Sequence, residues 1–227
     1  VGETSPDGTY TVKPVTDSDE VTNLEFGWKT ILMDGQLKFN GSAFMVDVDG
    51  LQSTIFDPTI VNLFFSDNAA NAEIRGVEGD FLYLTNIDGL TVAGAFSMLD
   101  TEIIESLVPT SDVVVGKPLA FAPEMQANIR VRKEWGMSAG NVGHLQAQLS
   151  WSEDSDSDIM EPNRARQDSY SLVNLRAGIT AEDYMVELYI DNVTDERAEI
   201  SNTFVFDRQR VAINRPTTIG LRVKKSF

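Results

Sequence analysis

Apolar and polar residues alternate along most of this chain with a period of two, the pattern of strands that show one apolar and one polar face. The alternation starts at Val21: Leu24, Phe26 and Trp28 point one way, and Asn23, Glu25, Gly27 and Lys29 the other. Met33-Asp34-Gly35-Gln36 then turns the chain back, because Asp-Gly accepts the left-handed backbone of a tight hairpin. The return strand sets Leu37, Phe39, Ala43 and Met45 against Lys38, Asn40 and Ser42, and is expected to run into a loop near Asp49-Gly50. Further strands are expected at about 72–84, 90–104, 125–135, 144–151, 173–179, 184–191 and 217–227, which makes nine. The clearest is the fifth, with Met125, Ala127, Ile129, Val131 and Trp135 on one face and Gln126, Asn128, Arg130, Arg132 and Glu134 on the other.

The connections alternate in length. Those at 33–36, 86–89, 136–140 and 180–183 are short, whereas 50–71, 105–120, 153–167 and 195–212 are expected as long loops; residues 1–20, rich in Thr, Asp, Gly and Pro, read as another. Strict short–long alternation is the signature of an up-and-down barrel whose two rims meet different surroundings. The aromatic residues are sorted by height in the same way. Trp28, Tyr83, Trp135, Tyr184 and Phe227 fall toward the short-turn rim on the apolar face, and Trp151 toward the other, as in a membrane girdle. The expected fold is therefore all-β, an antiparallel up-and-down transmembrane β-barrel wall. Bacterial single-chain barrels have an even number of strands, so nine strands, with Val1 as first residue, are expected to be the C-terminal part of a larger barrel. The final strand is then the seam that pairs with the barrel's first strand.

Composition narrows the partners. Thirty-five acidic against 18 basic side chains give a net charge of −17, which argues against nucleic acid as a partner. With no cysteine there is no disulfide, zinc-thiolate or iron–sulfur centre. No run of about 18 apolar residues is present to form a membrane-spanning helix. A mean hydropathy of −0.15 is compatible with membrane-spanning strands, which need only about 9 to 11 alternating residues.

The candidate chemistry lies on the polar face and in the loops. Glu25, Lys29, Glu78, Arg130, Arg132 and Arg176 are expected to line a lumen, chiefly as ion-pair ladders that brace the wall and alternatively as contacts to a plug or substrate. Phe56, Phe64 and Phe65, in the apolar stretch 50–71, form a candidate ligand-contacting loop, with folding of that stretch over its own barrel rim as the favoured alternative. Asp154, Asp156 and Asp158 match the opening of a D-x-D-x-D calcium loop, but Ile159 stands where that loop needs glycine, so they are weak metal candidates. The single histidine, His144, lies at the short-turn end of its strand without a nucleophile–acid set, and no enzyme is expected.

Several segments together resemble the C-terminal barrel portion of the TonB-dependent outer-membrane transporters. They are Val12-Lys13-Pro14, Asn23-Leu24-Glu25-Phe26-Gly27-Trp28-Lys29-Thr30, Asp34-Gly35-Gln36-Leu37, Asn40-Gly41-Ser42-Ala43-Phe44 and Ile74-Arg75-Gly76-Val77-Glu78. Further along come Ala122-Pro123, Val173-Asn174-Leu175-Arg176-Ala177-Gly178, Asp191-Asn192-Val193-Thr194-Asp195-Glu196-Arg197, and Arg215-Pro216-Thr217-Thr218-Ile219-Gly220-Leu221 running to Phe227. The resemblance implies a plugged barrel of about 22 strands in the outer membrane of a Gram-negative bacterium. It implies energised import of a scarce, bulky nutrient such as a ferric siderophore, cobalamin or a glycan, without a cofactor. Residues 1–20 become an extracellular loop region and 21–227 the barrel segment, with the plug outside this chain. The implied partners are the plug and remaining strands, the inner-membrane TonB energy-coupling complex, the barrel-assembly machinery at the C-terminal strand, and outer-membrane lipid and lipopolysaccharide. The competing readings are a passive porin-like channel and a soluble β-rich glycan-binding or adhesin module.

Overall fold

The computed structural model describes residues 11, 15–56, 64–108, 112–205 and 208–226, with backbone alone for Phe56, Phe64, Phe65 and Val205. In chain order the strands are β1 (Glu20–Leu32), β2 (Leu37–Phe56), β3 (Phe64–Leu84), β4 (Leu90–Ser106), β5 (Met125–Gly136), β6 (Val142–Ser152), β7 (Ser155–Asp156), β8 (Arg166–Gln167), β9 (Tyr170–Thr180), β10 (Tyr184–Asp191), β11 (Glu199–Val205), β12 (Arg208–Ile213) and β13 (Thr218–Lys225). Nine of them form one antiparallel sheet in the order β1-β2-β3-β4-β5-β6-β9-β10-β13. Every strand pairs with its predecessor in that series, the up-and-down order that the alternating connections specify. Among the described residues the sheet is not closed: β1 and β13 are its edges.

The short turns use left-handed backbone, as the Asp-Gly signal requires. Met33, Asp34 and Gly35 have φ of 56°, 54° and 92°, and the Gln36 N–H donates to the Met33 carbonyl at 3.1 Å. Ala139 and Gly140 repeat this between β5 and β6, with φ of 59° and 74°.

The long connections are more ordered than the sequence pattern suggests. Within the expected loop 50–71, residues 50–56 and 64–71 are strand. The β2–β3 ladder continues past irregularities between Val48 and Gln52 to pair Ile55 with Phe65 and Phe56 with Phe64. The expected loop 153–167 contains the small β7–β8 pair, and 195–212 contains the β11–β12 hairpin. In each case an irregularity or short polar stretch interrupts the period of two, although backbone pairing resumes beyond it. The last strand is described to Lys225, and Phe227 lies outside the described residues.

One register explains both a wall and a core. Along β2, β3 and β4 the row Ala43–Val77–Met98 is followed on the same face by Met45–Arg75–Asp100 and then Asp47–Glu73–Glu102. The opposite face runs from Ser42–Glu78–Ser97 through Phe44–Gly76–Leu99 and Val46–Ile74–Thr101 to Val48–Ala72–Ile103. The faces thus exchange polarity near Met45. On the turn side the outer face is apolar and the inner polar; on the loop side the outer face is charged and the inner apolar. That inner apolar patch carries the buried cluster Ile55, Ala69, Ala70, Ile103, Val108, Val113, Ile159 and Met160. The β4–β5 connection folds onto it, with Val113 bridged to Met160 and the Phe121 N–H donating to the Asp156 carbonyl at 2.7 Å. On the turn side, Leu24, Phe26, Leu145, Leu188, Leu221 and Val223 remain exposed. Met125 to Trp135 extends about 33 Å along β5, or about 25 Å in height at a 40° tilt, which matches a lipid-facing band.

Strand glycines sit opposite aromatic rings. Trp28 covers Gly41, Phe44 covers Gly76, Phe96 covers Gly79, Phe81 covers Gly94, Trp135 covers Gly143, His144 covers Gly178 and Tyr189 covers Gly220; each is a directly paired cross-strand couple. A side chain at any of these glycines would occupy the space of its partner ring, so the rings lie flat on the sheet.

Candidate functional site

The polar side chains of the inner face line a hollow of about 900 Å³. Glu25, Lys29, Glu78 and Asp80 border it together with Asn40, Gln126 and Ser150, residues supplied by five different strands. Such convergence requires the sheet to curve around the hollow. Three of the six sequence-predicted lumen residues, Glu25, Lys29 and Glu78, are brought together here. The Ser42 hydroxyl donates to Glu78 at 3.4 Å, and the Asn40 amide donates to Asp80 at 3.2 Å.

The three arginines lie farther round the wall. Arg132 donates to Glu134 at 2.8 Å and to Gln146 at 3.3 Å, while Arg176 reaches Asp191 at 2.7 Å. The Arg132–Gln146 and Arg176–Asp191 contacts each join neighbouring strands. Arg130 has no ion-pair partner among the described residues.

A second polar cluster was not evident from sequence. His144 Nε2 and Glu187 Oε2 are 3.1 Å apart, and Arg222 donates to Glu187 Oε1 at 2.8 Å. His144 and Glu187 are both buried. Gly178 stands between their strands and leaves room for the imidazole. Beside this cluster the Tyr189 ring lies between Arg176 and Arg222, whose guanidinium carbons are 5.3 and 5.7 Å from its centroid. These cation–π contacts tie the polar faces of β9, β10 and β13. Only the cross-strand register brings His144 to Glu187, 43 residues away.

At the loop rim, the Asp191-Asn192-Val193-Thr194-Asp195 segment forms a corner lock. Asn192, buried with φ of 54°, donates through Nδ2 to the carbonyls of Glu196 and Arg215 at 2.9 and 3.0 Å, while its Oδ1 accepts the Glu196 N–H at 2.9 Å. The Thr217 hydroxyl donates to the Asn192 carbonyl at 2.7 Å, and the Thr217 N–H to Asp195 at 3.0 Å. A left-handed backbone with this many local bonds favours asparagine over other side chains.

The metal candidates are each engaged elsewhere. Asp154 pairs with Arg166 at 2.5 Å, Asp156 with Arg164 at 3.1 Å, and Asp158 accepts the Met160 N–H at 2.9 Å. No group of three or more His, Cys, Asp or Glu side chains able to hold a metal occurs among the described residues. Burial raises the Asp158 carboxyl above its ordinary range, against the opposing pull of the Met160 and Ile159 N–H groups and Arg164.

The backbones of Phe56, Phe64 and Phe65 lie at the paired tips of β2 and β3, and their side chains lie outside the described residues. Of the girdle candidates, Tyr83, Trp135 and Tyr184 lie at turn ends of their strands and Trp151 at the loop end of β6. Trp28 is four residues in from its turn.

A curved antiparallel sheet with an apolar outside and a polar hollow within is a piece of transmembrane barrel wall. The family profile described as "TonB dependent receptor-like, beta-barrel" matches residues 5–193, and the chain belongs to that family. Solved structures agree in fold. The ferric yersiniabactin uptake receptor FyuA from Yersinia pestis superimposes with a TM-score of 0.75 at 16% identity, over 92% of this chain and 30% of that one. The siderophore receptor PiuA from Acinetobacter baumannii gives 0.70 at 15% identity, over 94% and 30%. The ferric preacinetobactin receptor BauA from the same organism gives 0.67 at 19% identity, over 98% and 32%. This chain therefore spans about a third of the length of the receptors it matches.

Proposed function

We propose that this chain forms part of the wall of an outer-membrane transporter in a Gram-negative bacterium, importing a scarce, bulky nutrient with energy delivered through a TonB complex to a plug domain. The observation that carries this is the polar hollow behind an outer face that is apolar below Met45 and charged above it. That distribution suits a wall with lipid outside, water or a plug inside, and a folded rim above the membrane. Family membership supports TonB-dependent uptake, and the names of the three structures point to ferric chelates ahead of cobalamin or glycans. In this reading residues 1–20 belong with the extracellular loops, which the hydrogen bonds of 2.9 and 3.0 Å exchanged by Asp17 and Asn68 support.

The test is a deletion strain grown under iron limitation and assayed for uptake of labelled ferric chelates, cobalamin and oligosaccharides. Loss of one class that is restored by the full-length gene, and abolished again when the coupling complex is de-energised, is expected. Unchanged uptake of all three, or a full-length product that stays soluble without detergent, overturns the proposal.

A further inference from the structure

The outer face of the wall carries a groove that a barrier alone does not need. Across β5, β6, β9 and β10, the row Lys133–Leu145–Ala177–Leu188 lies directly beside the row Val131–Ala147–Leu175–Ile190. Ala147 and Ala177 are therefore diagonal neighbours set among larger side chains. Their small size opens a hollow of about 430 Å³ between Leu145, Leu175 and Leu188, each of which is well exposed. A flexible hydrocarbon chain fits such an irregular trough, because an unfilled gap forfeits dispersion contacts along its whole lining.

The charge at the end of the trough suggests what kind of chain lies in it. Lys133 lines the hollow at its turn end and donates to the carbonyl of Asp88, which holds the ammonium at the rim. Trp135 follows two residues later on the same face, at the height where an indole meets headgroups. Among the described residues no carboxylate lines the groove. A second hollow on the outer face, lined by Met33, Leu37, Phe39, Phe81 and Tyr83, is of similar size at about 490 Å³ but has no cation among the described residues of its lining.

We propose that the Ala147–Ala177 groove is a lipid site that takes one acyl chain of a glycerophospholipid from the periplasmic leaflet, with the lipid phosphate at Lys133. The proposal rests on the membrane-wall reading above. Its recognition elements are a trough for methylenes, an ammonium for the phosphate and an indole at the glycerol level.

The test uses the full-length receptor in nanodiscs of phosphatidylethanolamine and phosphatidylglycerol, doped with phosphatidylglycerol carrying a photoreactive acyl chain. After irradiation, labelled peptides are mapped by mass spectrometry. Residues 145–149 and 175–177 of the unaltered protein are expected to carry about tenfold more label than residues 24–28 or the lining of the cation-free hollow. Ala147→Leu with Ala177→Leu abolishes the excess, and Lys133→Gln lowers it while leaving barrel insertion unchanged. Even labelling around an inserted wall overturns the groove and leaves the transporter reading standing. Failure of the receptor to enter the nanodiscs overturns both.

Discussion

The indole of Trp28 lies across the backbone of Gly41, its directly paired neighbour on β2, in the space a Cβ would need. The Glu78 carbonyl closes the same space from the other side, 2.6 Å from where that carbon would sit. A ring and a main chain therefore fix this position at zero side-chain volume. Gly41→Val is expected to destabilise the folded barrel by about 1–3 kcal/mol, as overpacking does. Trp28→Ala in the same background should restore only part of it, because the carbonyl cannot move aside. Urea unfolding of the full-length protein in micelles, followed by tryptophan fluorescence, measures the single substitutions and the pair.

Glu187 holds at once Arg222 on neighbouring β13 and His144 two strands away on β6. Glu187→Ala strands both partners and should destabilise by about 1–3 kcal/mol. Arg222 is the more exposed of the two, so Arg222→Gln should have the smaller effect. The same unfolding assay ranks them. Equal effects would mean that His144 contributes nothing through Glu187.

Asp158 makes the loop-side cap sensitive to pH. Its folded carboxyl titrates above the unfolded value of 3.8, so the folded cap binds the proton more tightly than the unfolded chain. Its favourable contribution is complete below 3.8 and is lost as pH rises through the elevated folded value. At neutral pH the ionised carboxylate therefore weakens the segment. Asp158→Asn keeps an acceptor for the Met160 N–H and should slow amide exchange across residues 153–167 at pH 7. The difference from the unaltered protein should vanish below the ordinary carboxylate range.

Asn192→Ala removes the side-chain bonds to Glu196 and Arg215 and leaves an alanine at φ of 54°. At about 1 kcal/mol for each lost bond, the corner should loosen by about 2–4 kcal/mol. Hydrogen exchange should accelerate at residues 195–198 and 214–217 before it changes elsewhere in the sheet.

The nine wall strands and their alternating turns were legible because lipid on one side and water on the other impose an unbroken period of two. Glu25, Lys29 and Glu78 could be placed on the inner face for the same reason. The strand tips 51–56 and 64–71 were not legible, since the faces exchange polarity near Met45 and the register breaks at Val48; an apolar run with no clean period reads as a loop. The Asp154, Asp156 and Asp158 spacing was visible, but Arg164 and Arg166, which pair with the first two, arrive through the β7–β8 fold-back. The His144–Glu187–Arg222 cluster and the ring–glycine couples depend on which residues stand opposite one another. A single strand's pattern does not contain that information.

The exchange of polarity at Met45 sets two opposite rules for sequence change within one chain. Below it, apolar side chains meet fluid lipid, which refills any space they vacate. Trimming Leu188 or Leu221 should be mild there, whereas a charge at the same position costs about 2–4 kcal/mol at midplane depth. Above it, Ile55, Ile103 and Met160 meet other side chains that cannot flow, and trimming one of them to alanine leaves a void costing about 2–5 kcal/mol. Across a population of variants, the lipid-facing positions other than the ring-paired glycines and the Ala147–Ala177 groove should drift in size while holding their hydrophobicity, and the cap should hold its volumes while its exposed surface drifts in charge.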